Sequence, residues 1–158
     1  MIISRLELLQ EAVFEILRDR WELSGKSVFL YRPGDMGGML DIDVHKQTNL
    51  CVIVLPPVPV EFRRNWPVPY DATVAVRILV VENAFTDVST GGALGAAEFI
   101  HSMLTGRRIQ CDQTFGALMP KLKEPWKINE NFTTDMRLEI LLTFEFEMSF
   151  PWSDGKEK

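Results

Sequence analysis

The residues of this sequence with the clearest potential for chemistry are three carboxylates on one side of the last long apolar segment. Residues 138–150 alternate, so that Glu139, Glu145 and Glu147 lie on the side opposite a row of large apolar residues. Paired carboxylates can hydrolyse glycosides, but no sugar-binding aromatic residue or second acid group accompanies them in a recognisable frame. A solvated strand face is the plainer interpretation. A third is an acidic surface along which another polyanion moves without sticking, because like charge disfavours contact.

Metal-capable residues occur in one short alternating stretch. Asp41, Asp43 and His45 would share one face of a strand. The other histidine, His101, lies on the polar side of a helical pattern near Glu98. Neither histidine has a known ligand spacing, and no acid, base or nucleophile accompanies them. We therefore interpret both as solvated surface residues, and we predict no catalytic residue, no metal site and no cofactor.

A glycine-rich turn, Ser89 to Gly95, precedes a second helical pattern. The unpaired N–H groups and the dipole at a helix N-terminus could hold a phosphate or carboxylate there. The turn lacks the Lys and Ser/Thr of a P-loop and the spacing of a dinucleotide fingerprint, so a turn capped by Ser89 or Thr90 is favoured. A small anion-binding enzyme that uses the turn from Gly91 to Gly95 is the alternative from a different functional class.

Aromatic and basic residues are interleaved in a proline-flanked segment. They are Phe62, Arg63, Arg64, Trp66 and Tyr70. A stacking platform for nucleic acid combines these residue types, but two arginines are few for that purpose. Aromatic residues and Arg are also enriched at protein interfaces. We predict that residues 60–70 form a stiff projecting loop that contacts another protein.

Composition narrows the class of protein. The chain has 158 residues, the size of one domain, and 17 basic against 22 acidic residues give a net charge of −5. This balance argues against a protein that holds nucleic acid by neutralising phosphates. Cys51 and Cys111 lack disulfide density and metal spacing, so we expect reduced thiols in a cytoplasm. The N-terminus does not resemble a signal peptide, and the proline-interrupted apolar stretch 50–60 is too short to span a membrane.

Periodicity indicates the elements that position these residues. Apolar spacing of three and four predicts helices over 4–20, where Ser4 and Glu7 form a capping-box pattern, and over 92–105. Alternation or unbroken apolar runs predict strands over 28–31, 50–55, 72–81 and 138–150, with a weaker strand over 40–44. Residues 107–135 show no convincing period. We predict a single α+β domain over residues 1–158, with a mixed, mainly antiparallel sheet, two main helices on one side, and a flexible end after Trp152.

A family resemblance covers the centre of the chain. The strand Val74-Ala75-Val76-Arg77-Ile78-Leu79-Val80-Val81-Glu82-Asn83, the glycine-rich turn and the helix Ala93-Leu94-Gly95-Ala96-Ala97-Glu98-Phe99-Ile100-His101-Ser102-Met103-Leu104 resemble the strand, turn and helix of phage tail terminator or tail-completion proteins. The Val-Glu-Asn end of the strand is the most suggestive piece. Residues 72–105 resemble the family in amino-acid sequence, and most of the chain resembles it in the order of its helices and strands.

The resemblance implies a structural virion protein without enzymatic activity. Such proteins form a ring, usually a hexamer, that caps the tail tube and joins it to the head-proximal connector or neck protein. The implied partners are therefore copies of the chain, the tail tube protein and the connector, with DNA passing through unbound. The alternating final strand would serve as a face for neighbouring subunits. The implied location is the phage tail, assembled in the cytoplasm of a host bacterium. Another minor tail protein or an injection-machine adaptor is the non-enzymatic alternative.

Overall fold

The computed structural model describes residues 4–20, 27–31, 50–64, 70–83, 92–110, 117–118, 121–122, 125–131 and 137–150. They form two helices, α1 (Arg5–Arg18) and α2 (Gly92–Leu104). The strands, in chain order, are β1 (Ser27–Leu30), β2 (Leu50–Val54), β3 (Val58–Arg64), β4 (Tyr70–Asn83), β5 (Ile109–Gln110), β6 (Ala117–Leu118), β7 (Lys121–Leu122), β8 (Lys127–Asn131) and β9 (Arg137–Phe150).

Two long antiparallel strands form the centre of the sheet. β4 and β9 pair from Tyr70 opposite Phe150 to Asn83 opposite Arg137. β2 and β3 lie one after the other along the free side of β4, and β1 adds to β2 in parallel. β8 and β7 pair with the other side of β9. Because every pairing except β1 with β2 is antiparallel, the seven-stranded sheet is mixed and mainly antiparallel, as predicted.

The main core lies between one face of this sheet and both helices. The even-numbered residues from Ala72 to Val80 of β4 and from Ile140 to Met148 of β9 point into it, including Phe144 and Phe146, which are fully buried. The apolar stripes of α1 and α2 cover the same face, because buried residues of both helices belong to one cluster with those strands. The alternation in the sequence therefore predicted the buried face correctly. The α+β class with two helices on one side is confirmed.

Helix α1 begins where its sequence indicates. Ser4 is the N-cap, and its hydroxyl oxygen accepts a hydrogen bond from the backbone N–H of Glu7 at 3.3 Å. This satisfies one of the orphan donors at the helix start. The helix ends at Arg18, which pairs with Glu15 one turn earlier. The exposure of both side chains makes this ion pair a minor contribution to stability.

A buried glutamine ties α1 to the sheet. Gln10 is 2% exposed, and its side-chain amide donates hydrogen bonds to the carbonyl oxygens of Tyr31 (2.5 Å) and Val54 (3.1 Å). These carbonyls lie where β1 and β2 end, and the N–H of Tyr31 also bonds to Val54 at 3.0 Å. Gln10 falls on the apolar stripe of the helix between Leu6 and Val13. Its polarity at that position is the one sequence signal for this contact.

We expect Gln10→Leu to lower the free energy of unfolding by about 1–3 kcal/mol, because two carbonyl groups lose a buried donor. Urea unfolding followed by circular dichroism measures the change. Ser102→Ala, at an exposed position of α2, is the control and should change stability by less than about 0.5 kcal/mol. Equal unfolding midpoints for the Gln10 variant and the unmodified chain would show that the amide is dispensable.

One expectation about an irregular segment was wrong, and a segment without a clear period contains short strands. The described part of residues 60–70 does not form a projecting loop, because Phe62, Arg63 and Arg64 belong to β3 and Tyr70 begins β4, with which β3 pairs. Residues 107–135 contain β5 to β8. Their two-residue strands and the single apolar residue of β8, Ile128, are too short or too polar to give a period. The strand expected over 40–44, and the end after Trp152, lie outside the described residues.

Neither described helix has the length and apolar character needed to cross a membrane.

Candidate functional site

The three predicted carboxylates share one face of β9 but do not form one cluster. Glu139, Glu145 and Glu147 all alternate with the buried core residues, on the face away from the helices. Glu145 and Glu147 are two residues apart, whereas Leu141 and Thr143 separate Glu139 from them. At about 3.3 Å per residue, six residues correspond to roughly 20 Å. The acidic pair and the single acid therefore lie at different parts of the face.

Neighbouring strands place basic residues beside these acids. Arg77 of β4 is opposite Thr143 and is half-buried on the same face, diagonal to Glu145. Lys121 of β7 is the register partner of Glu145. Opposite charges on adjacent strands stabilise a sheet modestly. The sequence of β9 alone carries no basic residue among the acids to offset them, but the fold supplies bases from the flanking strands.

A buried threonine fixes one of the carboxylates. Thr73 of β4 is 4% exposed, lies opposite Glu147, and its hydroxyl donates a hydrogen bond of 2.9 Å to the Glu147 carboxylate. This bond satisfies a buried polar group, as such groups require. It also holds an exposed carboxylate in one position at the end of the sheet that carries β3.

The other end of the same face is apolar. Cys51, Ile53 and Val81 are buried there in a second, smaller cluster, with Phe29 and Leu79 packed against them. The strand β2 is therefore buried on both faces, as its unbroken apolar run predicted. Cys51 is buried and forms no disulfide with another described residue. Cys111 lies outside the described residues.

The predicted protein interface lies on an edge strand. β3 pairs with β4, and no other described strand pairs with β3. It exposes three large apolar side chains, Val58 (40%), Val60 (53%) and Phe62 (62%). Trp66 lies outside the described residues. Val58 lies opposite Ala75 and Phe62 opposite Ala72, so these two side chains lie on opposite faces of the sheet edge.

The N-terminus of α2 already holds a carboxylate of the chain. The backbone N–H of Ala93 donates to the Glu82 side chain at 3.0 Å, and Gly92 has φ of 47°. A Cβ atom on Gly92 would lie 2.8 Å from the Glu82 carboxylate oxygens. Glu82 thus takes the place of an external anion at the positive end of the helix dipole. This contact gives a structural reason for the glutamate at the end of β4, and it disfavours an anion-binding enzyme at this turn.

We expect Gly92→Ala to lower the free energy of unfolding by about 1–3 kcal/mol, because alanine is strained at positive φ and its methyl group would displace the Glu82 carboxylate. Gly95→Ala is a matched control. Its added Cβ meets no atom within 4 Å, so it should raise stability by about 0.5–1 kcal/mol. Thermal unfolding of the two variants measures both changes. Similar effects of both substitutions would contradict the role assigned to Gly92.

The histidines do not form a site with other metal ligands among the described residues. His101 is half-buried, and its ring packs edge-on against Trp126 with centroids 5.8 Å apart. It therefore joins α2 to the segment before β8, a packing role that the sequence did not indicate. Asp41, Asp43 and His45 lie outside the described residues. Within the described part of the chain, no three His, Cys, Asp or Glu residues are grouped to hold a metal ion.

A groove that the sequence did not indicate lies between α1 and the segment after α2. Its volume is about 490 Å³. Its apolar lining is Leu8, Ala12, Ile16 and Ile109, and its charged lining is Glu11, Glu15, Arg107 and Arg108. Arg107 and Arg108 follow Gly106, which ends α2 at φ of 74°. The turn at Gly106 thereby brings two consecutive arginines to the side of a distant helix, which no local pattern predicts.

Comparison with known proteins gives a fold relationship. No protein-family model matches the sequence, and no curated protein matches it. Twenty-three chains of solved structures do match. One is a chain from a structure described as the virion of a native gene transfer agent (GTA) particle, with a TM-score of 0.66 and 18% identity. The alignment covers 94% of this chain and 100% of that chain. The chain is therefore similar in fold, over nearly its whole length, to a component of a virion.

Proposed function

We propose that the chain is a structural virion protein that forms a ring on the end of a phage tail tube and joins the tube to the head-proximal connector. The observation that carries the proposal is the fold similarity to a chain of a gene transfer agent virion, which the alignment covers completely. The resemblance of residues 72–105 to tail terminator proteins is an independent reason. It narrows the proposed location within the virion to the tail.

The surfaces of the molecule suit repeated contact between copies. β3 exposes the apolar side chains of Val58, Val60 and Phe62 at one edge of the sheet, and the groove of α1 lies on a different part of the chain. Two different surfaces on one subunit form head-to-tail contacts, which close into rings when the rotation between subunits allows it. β4, β7 and β8 pair with the two edges of β9, so the outward face of the final strand is the part that we propose for contact with a neighbouring subunit. The edge strand β3 is our proposed second contact surface.

Glu139, Glu145 and Glu147 are our proposed surface facing the lumen of the ring. Their face is opposite the helices, so it is free of the main core. Carboxylates on that face would keep DNA from binding during passage, because carboxylates and DNA phosphates are both negatively charged. The bases in the flanking strands reduce this repulsion. The repulsion of DNA would therefore come mainly from Glu147, the most exposed of the three acids. The proposed partners are further copies of the chain, the tail tube protein and the connector.

Other assignments fit the molecule less well. A different minor tail protein or an injection-machine adaptor shares the virion location but does not account for the resemblance of residues 72–105. An anion-binding enzyme would have to use the α2 N-terminus, where Glu82 already binds Ala93. We therefore propose a protein without enzymatic activity.

Locating the chain in purified particles tests the proposal. A small tag at the C-terminus, after Lys158, can be labelled with gold and viewed by electron microscopy. We expect one cluster of label per particle, at the junction of head and tail. Label over the capsid shell, along the tube, or at the distal tip would overturn the tail-joining role. Those positions would favour another virion component.

A further inference from the structure

We propose that neighbouring subunits of the ring join edge to edge, with β8 of one copy pairing as an antiparallel strand with β1 of the next copy. The proposal rests on the proposed function and deepens it, since it names the two strands through which copies of the chain join. These strands are the two ends of one strand order, β1-β2-β4-β9-β8. Joining them would continue the sheet from one subunit into the next.

One register row crosses the whole sheet and ends at both of these strands. From β1 to β8 it consists of Val28, Val52, Val80, Ile140 and Ile128. The three central members are buried in the main core, whereas Val28 is half-buried and Ile128 is 51% exposed. Among the described strands, β1 pairs only with β2, and β8 pairs only with β9. The two ends of the row are therefore edge positions at the same level of the sheet.

Both edges are regular enough to accept another strand. β1 and β8 contain no proline, and their pairing with β2 and β9 shows no register shift. An edge strand of this kind is a template for a further strand. β3 differs, because Pro59 and the register shift between Pro59 and Glu61 hinder backbone pairing. β3 lies along the same side of β4 as β2, so its exposed side chains would face the same neighbour as β1.

Strand directions favour this joint in a ring. β1 runs parallel to β2, and each further step from β2 to β4, β9 and β8 reverses the direction. β8 is therefore antiparallel to β1 of its own chain. A rotation about a ring axis roughly along the strands keeps every direction, so β8 also meets β1 of the next copy in antiparallel orientation. The same rotation keeps the helices of all copies on one side of the continuous sheet.

The helix layer leaves β8 uncovered. α1 lies over β1 and β2, and α2 lies over β4 and β9. Leu94 of α2 is 50% exposed and precedes His101 by about two turns, so both lie on one side of the helix. That side faces β8, because His101 packs against Trp126, which lies just before β8. Leu94 and Ile128 therefore expose apolar surface on the same flank of the molecule.

The helix α1 of the next copy would cover this flank. Adding β1 beside β8 brings α1 with it, because α1 packs on β1 within each copy. Ala12 lines the groove beside the segment after α2, and Phe14 lies about 200° further round α1, on the other flank of its buried stripe. Phe14 is half-buried and would meet Leu94 and Ile128 of the neighbour. Apolar side chains gain free energy by leaving water at such a contact.

Disulfide trapping tests the joint. Ile128→Cys is combined with Val28→Cys in the full chain with Cys111→Ser, and Cys51 is buried. Within one chain the two new cysteines lie four strand spacings apart, roughly 19 Å, which is too far for a disulfide. Opposed residues of paired antiparallel strands are about 4.5–5.5 Å apart, which a disulfide can bridge. Under mild oxidation with purified tail tubes, we expect a ladder of crosslinked multimers on a non-reducing gel.

The alternation of side chains along β1 supplies the matched control. An offset of two residues keeps side chains on the same face, so Leu30→Cys in place of Val28→Cys is a second permitted partner for Ile128→Cys. Phe29 lies on the other face, opposite Ile53 of the smaller cluster. Phe29→Cys with Ile128→Cys should therefore give little product. Circular dichroism of each reduced variant checks that it is folded.

The outcomes separate the joint from the proposed function. A ladder with Phe29→Cys as strong as those with the permitted partners, or a dimer of an Ile128→Cys single variant as the main product, would overturn the joint. No ladder from either permitted pair, while the unmodified chain forms rings on tube ends by electron microscopy, would overturn the joint and leave the proposed function standing. A ladder in solution together with bare tube ends would support the joint and contradict the proposed function.

Discussion

We expect Phe144→Ala to lower the free energy of unfolding by about 3–5 kcal/mol, the range typical of deleting a buried phenylalanine side chain. Phe144 is fully buried in the centre of β9, opposite Val76 on β4 and Leu122 on β7, and belongs to the main core. The substitution removes an aromatic ring from a densely packed layer between sheet and helices. A domain of this size is stable by only about 5–15 kcal/mol. The variant should therefore unfold at a much lower urea concentration.

Phe62→Ala is the matched control for this prediction. The same side chain is removed, but from a position that is 62% exposed on β3. We expect a change in stability below about 0.5 kcal/mol. We also expect weaker contact between copies, because Phe62 is the most exposed large apolar side chain of the edge strand β3. Equal destabilisation by both substitutions would mean that the described core is wrong. A full loss of stability with Phe62→Ala alone would remove β3 from consideration as a docking surface.

The triple substitution of Glu139, Glu145 and Glu147 by lysine should abolish most function with a smaller effect on folding. Each change adds two positive charges, so three changes raise the net charge from −5 to +1. A lumen lined with lysine would hold DNA phosphates and slow their passage. We expect infectivity or DNA delivery to fall by about tenfold or more. A plaque or transduction assay measures it, with unfolding curves recorded in parallel.

Replacing the same three residues by glutamine separates charge from shape. The amide introduced by Glu147→Gln would still offer an oxygen to the Thr73 hydroxyl, which in the unmodified chain bonds to the Glu147 carboxylate. The glutamine protein should deliver DNA nearly as well as the unmodified chain, because it attracts no phosphate. Normal delivery by the lysine protein would discard the lumen assignment. An equal loss in both proteins would indicate that the acids act through contacts within the sheet, such as those offered by Arg77 and Thr73.

Local patterns predicted the elements that have a regular hydrophobic period. β4 and β9 alternate over most of their length, and α1 carries both a cap and an apolar stripe, so their types and buried faces could be derived from the sequence. β3 could not, because Pro59 and a bulge interrupt its alternation and its outer residues are exposed. β7 and β8 are strands only because β9 lies beside them. Their backbone pairing is fixed by the tertiary fold.

The candidate site, too, could be predicted from the sequence only in part. The carboxylates of β9 could be placed on one face from their spacing, but their basic neighbours come from strands distant in sequence. Glu82 at the α2 N-terminus depends on where β4 ends relative to the helix, a distance that no spacing rule gives. The groove beside Arg107 and Arg108 requires the packing of α1 against the segment after α2. Contacts between elements distant in sequence are therefore the part of the site that sequence patterns do not predict.

Electron microscopy of the purified chain mixed with purified tail tubes tests the proposed ring most directly. We expect a ring of several copies on one end of each tube and none along its length. Phe62→Ala should reduce the number of capped ends, whereas Gly95→Ala should not. Tubes with bare ends at protein concentrations well above those of the tubes, or copies of the chain bound along the tube wall, would contradict a role in capping the tail tube.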